Sequence, residues 1–182
     1  MRRILVYGVT GSGKTTLASA LGARLGLPYH CMDDLTWDPG WVAVSEEVQR
    51  DRVREICATD DWVIDSAYGI WRDIPLARAD LIVGLDLPRW LTFGRLLRRT
   101  VGNIVRHRSL CNGNYETWRG TFFSYESILV WHFKSFTRKR RRMRAWQADP
   151  EFPIAIVLLR SPREVERWLA ALPDRMSGAG QP

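Results

Sequence analysis

The sequence predicts an α/β fold: a five-stranded parallel sheet with helices on both faces. Three observations predict it. Short apolar runs alternate with helical segments along the chain, the pattern that gives parallel strands joined by crossover helices. The first run leads into a glycine loop and then into a helix start. Gly8 and the polar residues Asp33, Asp65, Asp86 and Arg160 collect at the carboxyl ends of the runs, where such folds place their ligands.

Ile4–Tyr7 reads as a buried strand. It runs into Gly8-Val9-Thr10-Gly11-Ser12-Gly13-Lys14-Thr15, which fits the phosphate-loop pattern G-x-x-x-x-G-K-[ST] without a mismatch. The glycines let successive N–H groups turn inward around phosphate oxygens. The helix start adds donors and partial positive charge. Leu17, Leu21 and Leu25, four apart, are the buried face of that helix. The expected nucleotide-binding set is therefore Gly8, Val9, Thr10, Gly11, Ser12, Gly13, Lys14, Thr15 and Thr16. Lys14 can reach the β- and γ-phosphates, and the Thr15 hydroxyl can ligate Mg²⁺. ATP and Mg²⁺ are the implied ligands, and the fold is expected to be a P-loop NTPase three-layer sandwich.

The second strand is Pro28–Cys31, followed by Asp33 and Asp34; a helix covers 45–58. Trp62–Asp65 is the third strand. Asp65 at its end can hold Mg²⁺ through water or simply cap the next turn. A helical stretch at 70–78 precedes the fourth strand, Leu81–Asp86. The next helix, about 88–106, starts at Pro88 and carries Arg95 and Arg99 one turn apart on one face. That face can meet a nucleotide, or it is a solvated basic surface. The fifth strand is Ile154–Leu159, and a last helix covers 162–172.

The interval between strands four and five is too long for a simple crossover loop. Residues about 100–146 read as a helical insertion able to act as a lid. Phe122, Tyr125, Leu129, Phe133 and Phe136 fall at helical spacing within it and predict a core or interface stripe. Arg138-Lys139-Arg140-Arg141-Arg142 with Arg144 is a dense basic run: a solvated face, a lid supplying arginines, or a nucleic-acid patch. One domain, 1–172, is expected, and 173–182, rich in Gly, Pro and Ser, is expected to be disordered.

Composition sets the remaining bounds. A hydrophobic fraction of 46% suits a globular protein. No apolar run approaches the ~20 residues of a membrane span, so no membrane partner is expected. The opening residues lack a cleavage-site pattern and do not read as a signal peptide. Cys31, Cys57 and Cys111 form neither a disulfide framework nor a metal site and fit a reducing cytoplasm. The net charge of +7 is almost entirely arginine, since Lys14, Lys134 and Lys139 are the only lysines. Such an excess suits anionic ligands or nucleic acid, and it is equally a product of genomic composition.

Taken together, Gly8–Thr15, Asp65, Asp86–Pro88, Arg95 and Arg99 resemble the adenylate kinase-like family of small phosphoryl-transfer enzymes, and the match returns at Arg160-Ser161-Pro162. The resemblance implies a sheet order of 2-3-1-4-5 and an ATP-dependent small-molecule kinase. It places Arg95 on the adenine and makes Arg99 a phosphate contact and a catalytic group beside Lys14. The Arg160–Ser161 loop would touch the adenine edge, largely through backbone; Arg160 is equally a surface residue. Tyr29–Trp41 and Trp62–Tyr68 narrow the resemblance to bacterial proteins labelled topology modulation protein. That label implies an effect on DNA topology through a nucleotide-dependent DNA-binding or regulatory function.

One departure bears on the acceptor. Adenylate kinases carry an arginine soon after the Asp of the third strand, whereas Asp65 is followed by Ser66-Ala67-Tyr68-Gly69, with no arginine until Arg72. Shikimate and nucleoside kinases place a carboxylate after the second strand to hold an acceptor hydroxyl, which assigns Asp33 as catalytic and the acceptor as an alcohol. Asp33 aligns better than Asp34; a helix-capping pair is the alternative. Arg72 could still serve a nucleoside monophosphate. A GTPase and a transporter ATPase are disfavoured, because neither N-K-x-D nor L-S-G-G-Q occurs. Oligomeric state and acceptor identity are not readable from these residues.

Overall fold

Strand β1 (Arg3–Gly8) is apolar on both faces, and that requires a layer of helices on each side. Ile4 and Val6 point into one layer with Leu17, Ala18 and Leu21 of α1 (Lys14–Leu25). Leu5 and Tyr7 point into the other. The computed structural model describes residues 1–66, 68–118 and 127–173. The phenylalanine at 122, the tyrosine at 125 and the tail beyond 173 lie outside the described residues.

Five parallel strands form the sheet: β1, β2 (Tyr29–Cys31), β5 (Trp62–Ser66), β6 (Leu81–Leu85) and β7 (Ala155–Leu159). Their spatial order is β2-β5-β1-β6-β7. Counting only these strands in chain order, this is 2-3-1-4-5. Val6 pairs with Asp65 and Gly8 with Leu85. This register brings the phosphate loop, Asp65 and Asp86 to one edge of the sheet. A short hairpin, β3 (Trp37–Asp38) and β4 (Val42–Ala43), was not expected from the sequence. Its turn uses Gly40 at φ 82°, a conformation glycine adopts freely.

One helical layer is α1 with α7 (Pro162–Ala170), whose Val165, Trp168 and Leu169 pack on the sheet. The other contains α3 (Glu46–Ala58), through Val53 and Cys57, and α6 (Ile128–Ala148), through Met143 and Trp146. Gly84 in β6 leaves room for the Leu158 side chain of β7, since a Cβ there would lie 2.3 Å from Leu158 Cδ2, with Met143 Sδ of α6 at contact distance, 3.4 Å. Helix α2 (Met32–Thr36) follows β2 directly. The stretch expected at 70–78 is one turn, α4 (Asp73–Leu76). Helix α5 (Arg89–Val105) runs unbroken past residue 100, so the expected start of the insertion falls inside it.

Two parts of that insertion are anchored. Glu116 accepts from Thr100 Oγ1 (3.2 Å) and Asn103 Nδ2 (3.1 Å), tying it to α5. Asn112 Nδ2 donates to Asp34 O and Trp37 O, and the Trp41 N–H donates to Asn114 Oδ1, all at 2.7 Å. In α6 the buried stripe is His132, Ser135, Phe136, Lys139 and Met143. Phe133, expected in the stripe, is half exposed and packs on Phe93, with ring centroids 4.9 Å apart. The helical phase excludes it, because 132, 136, 139 and 143 share a face and 133 does not.

Candidate active site

The phosphate loop is held by its backbone. Gly11 and Gly13 take φ of 80° and 94°, values that exclude most side chains. A Cβ on Gly11 would lie 2.3 Å from Thr92 O and 2.9 Å from Leu96 Cβ, so α5 packs directly over the loop. Gly13 begins α1 with no side-chain cap, which leaves the first N–H groups of the helix open to an anion. The Ser12 hydroxyl is buried without a partner among the described residues.

Lys14 turns back on its own loop, its Nζ donating to Val9 O at 3.1 Å. Burial holds its pKa below the ordinary lysine value, against the opposing pull of Asp33 and Asp65. The Thr15 hydroxyl donates to Asp65 Oδ2 at 2.6 Å. Asp65, 6% exposed, also accepts from the Met32 N–H at 3.3 Å. Desolvation raises its pKa, while the Thr15 hydrogen bond and the Lys14 charge oppose the rise. The expected metal pair, Thr15 and Asp65, is thus in direct contact. Threonine hydroxyl plus one carboxylate suits Mg²⁺, which takes few protein ligands and completes its shell with waters and phosphates.

Asp33 stands on the first turn of α2, and its Oδ1 accepts from Tyr68 Oη at 2.6 Å. Burial raises the Tyr68 pKa further from neutrality, so it stays a donor. Tyr68 in turn stacks on Trp71, with centroids 5.4 Å apart. Asp34 is exposed, and its backbone carbonyl holds Asn112.

Of the paired arginines, Arg95 Nη1 lies 3.8 Å from where a Cβ on Gly13 would sit. The charge of Arg99 bears on Lys14 and lowers its pKa. Both side chains are exposed and make no ion pair among the described residues. Arg160 and Ser161 form the entry to α7: Ser161 caps the helix, accepting from the Glu164 N–H at 3.2 Å, and the Arg160 N–H donates to Glu164 Oε2 at 2.8 Å. Glu164 thus closes the first turn on the residue before the N-cap, a variant of the capping-box arrangement. Arg160 itself is exposed.

The basic run divides by helical phase. Arg140 and Arg144 hold Asp86, at 2.6 and 2.8 Å. The Asp86 side chain is fully buried, so the pair fastens α6 to the end of β6. Arg142 Nη1 donates to Tyr7 Oη at 3.3 Å. Arg89, Arg140, Arg141 and Arg144 line an outer groove of about 400 Å³ that does not include the phosphate loop. Lys139 is 4% exposed and turned inward. His132 contacts the loop itself, its Nδ1 lying 3.0 Å from Thr10 O. The sequence assigned no individual role to His132 or Tyr68 and took Lys139 only as part of the basic run. For Lys139 and His132 the signal was their shared helical phase with Phe136 and Met143. Tyr68 had none, because its partner Asp33 is 35 residues away.

No family model and no curated protein sequence matches the chain. Solved structures that share its fold include three kinases. A gluconokinase from Sinorhizobium meliloti 1021 is 19% identical with a TM-score of 0.53, over 99% of this chain and 98% of that one. A sugar kinase from Janibacter sp. HTCC2649, unliganded, is 18% identical at 0.53, over 100% and 99%. A shikimate kinase from Bacteroides thetaiotaomicron is 17% identical at 0.55, over 93% and 94%. The chain therefore has the fold of these kinases along almost its whole length.

Proposed function

We propose that this protein is an ATP-dependent phosphotransferase, adenylate kinase-like in its nucleotide half, that transfers a phosphoryl group to a hydroxyl of a small molecule. The observation that carries this reading is the gathering of Lys14, the Thr15–Asp65 pair and Asp33 around one phosphate loop. The open helix start and the unpartnered Ser12 hydroxyl fit a bound phosphate chain. The kinase fold of the three neighbours supports it.

In this reading the loop N–H groups and Lys14 hold the β- and γ-phosphates. Thr15 and Asp65 hold Mg²⁺, which when bound offsets phosphate charge. Arg95 lies against the nucleotide and Arg99 beside the transferred group. Asp33 accepts the proton of the acceptor hydroxyl as its oxygen bonds to the γ-phosphorus. The bond to the β-phosphate oxygen breaks, and ADP departs. Tyr68 orients the Asp33 carboxylate.

The test is ADP release above the water-only background across nucleosides, nucleotides and small alcohols. Asp33→Asn is expected to keep MgATP binding and to lose transfer by roughly 10²–10⁴-fold, the usual worth of a general base. Lys14→Ala is expected to abolish turnover in a folded chain. Unchanged MgATP affinity and turnover in that variant would remove the assignment. Rapid conversion of a nucleoside monophosphate to its diphosphate would replace the hydroxyl acceptor with a phosphate.

A further inference from the structure

The acceptor side carries a row of cations that neither the nucleotide site nor the fold accounts for. Arg72 opens α4, and its Nη1 lies 3.9 Å from where a Cβ on Gly69 would sit. The guanidinium therefore folds back over the loop that presents Tyr68 to Asp33. The charges of Arg142 and Arg138 both bear on Arg72. The same two bear on Lys139, as do Lys14 and Asp33. These cations, from α4 and one face of α6, thus share an electrostatic neighbourhood with Lys14 and Asp33. Its floor is Tyr7, buried in β1, whose hydroxyl accepts from Arg142.

None of Arg72, Arg138, Lys139 and Arg142 makes an ion pair among the described residues, although other arginines in the chain do. Lys139 is 4% exposed, and its Nζ lies 5.8 Å from the centroid of the Trp131 ring. A lysine this buried, with no ion pair among the described residues and with the charges of Lys14, Arg138 and Arg142 outweighing the opposing pull of Asp33, is costly to keep charged. An anion arriving there removes that cost, and arginine forks match carboxylate and phosphate oxygens.

Resting on the kinase reading above, we infer that the acceptor is an anionic alcohol: a hydroxyl presented to Asp33, and a carboxylate or phosphate held by Arg72 and Arg142 with Lys139. The missing arginine after Asp65 is thus replaced from outside its own strand. Arg72 binds the acceptor's fixed charge, and the acceptor's reacting atom is a different one.

The full chain saturated with Mg²⁺ and AMP-PNP, which occupies the phosphate loop, tests this. Glycerate, glycerol 3-phosphate and glycerol are titrated in, read by calorimetry and by the Arg72 and Arg142 side-chain NMR signals. At least one anion is expected to bind at least about tenfold more tightly than glycerol, and the preferred one identifies carboxylate or phosphate. Arg72→Gln and Arg142→Gln are each expected to weaken that anion by about tenfold or more with AMP-PNP affinity unchanged. Equal binding of all three compounds, no binding of either anion, or indifference to both substitutions would overturn the inference. Anions displaced by AMP-PNP would also overturn it, because they would then be occupying the loop. Failure of AMP-PNP itself to bind would instead remove the kinase reading.

Discussion

At the residue scale, Lys139 carries the largest conflict between stability and use. Desolvation, with the neighbouring Lys14 charge, pulls its pKa down to about 7. The unfolded chain therefore binds more protons than the folded one between about 7 and the ordinary lysine value near 10.4. Stability from this group rises with pH through that window and is lowest below it. Lys139→Met is expected to raise the neutral-pH stability by of order 1 kcal/mol and to flatten the dependence of Tm on pH between 7 and 10. It is also expected to lower transfer activity. Thermal melts across that range, paired with turnover, check both halves. A variant less stable at neutral pH would show that Lys139 is held by favourable contacts.

At the scale of the element, α5 combines two tasks on different faces. Thr92 and Leu96 close over Gly11, while Arg95 and Arg99 extend beside the loop and Lys14. If Arg95 meets the base, Arg95→Gln raises the KM for ATP and leaves kcat near its original value. If Arg99 meets the transferred group, Arg99→Gln lowers kcat by roughly 10²-fold or more. Steady-state kinetics separate them, and identical effects in both variants would contradict this division. Gly11→Ala is expected to disrupt the packing of α5 on the loop: its Cβ has no space and its φ of 80° strains an L-residue. Helix α6 was legible as a helix and as basic, but the fate of its arginines was not. The fully buried Asp86 carboxylate, 54 and 58 residues earlier, claims two of them.

That clamp governs the whole molecule. Arg140 and Arg144 are partly exposed and can return to water, whereas Asp86 cannot. Replacing both arginines by alanine leaves a buried charge unpaired and is expected to cost about 3–5 kcal/mol. Asp86→Asn is expected to cost less. Denaturant unfolding compares the two, and the reverse order would show that the arginines matter mainly through packing. The clamp also confines the lid proposed for 100–146. In that proposal the motion on binding nucleotide and acceptor falls in 106–118 and 127–136, where the hydrogen bonds of Asn112, Asn114 and Glu116 would have to be remade, while 140–148 stays fixed in the core layer. Hydrogen exchange with and without MgATP analogue and acceptor is expected to show added protection only in the first two segments. Equal protection throughout would favour a fixed wall.

The nucleotide half was readable from the residues because its chemistry is contiguous. Eight consecutive positions, Gly8–Thr15, carry a loop that works through its own backbone, and the apolar runs beside it specify a parallel sheet whose strand ends must gather. The acceptor half had to wait for tertiary structure. Tyr68 reaches Asp33 across 35 residues, and Arg142 reaches Tyr7 across 135. In the basic run, one-residue steps rotate successive side chains by about 100° around the helix axis. Lys139 consequently turns into the buried face while Arg140 turns to Asp86. Only the packed position of α6 against β1 and β6 decides which arginine serves the fold and which remains open to a ligand.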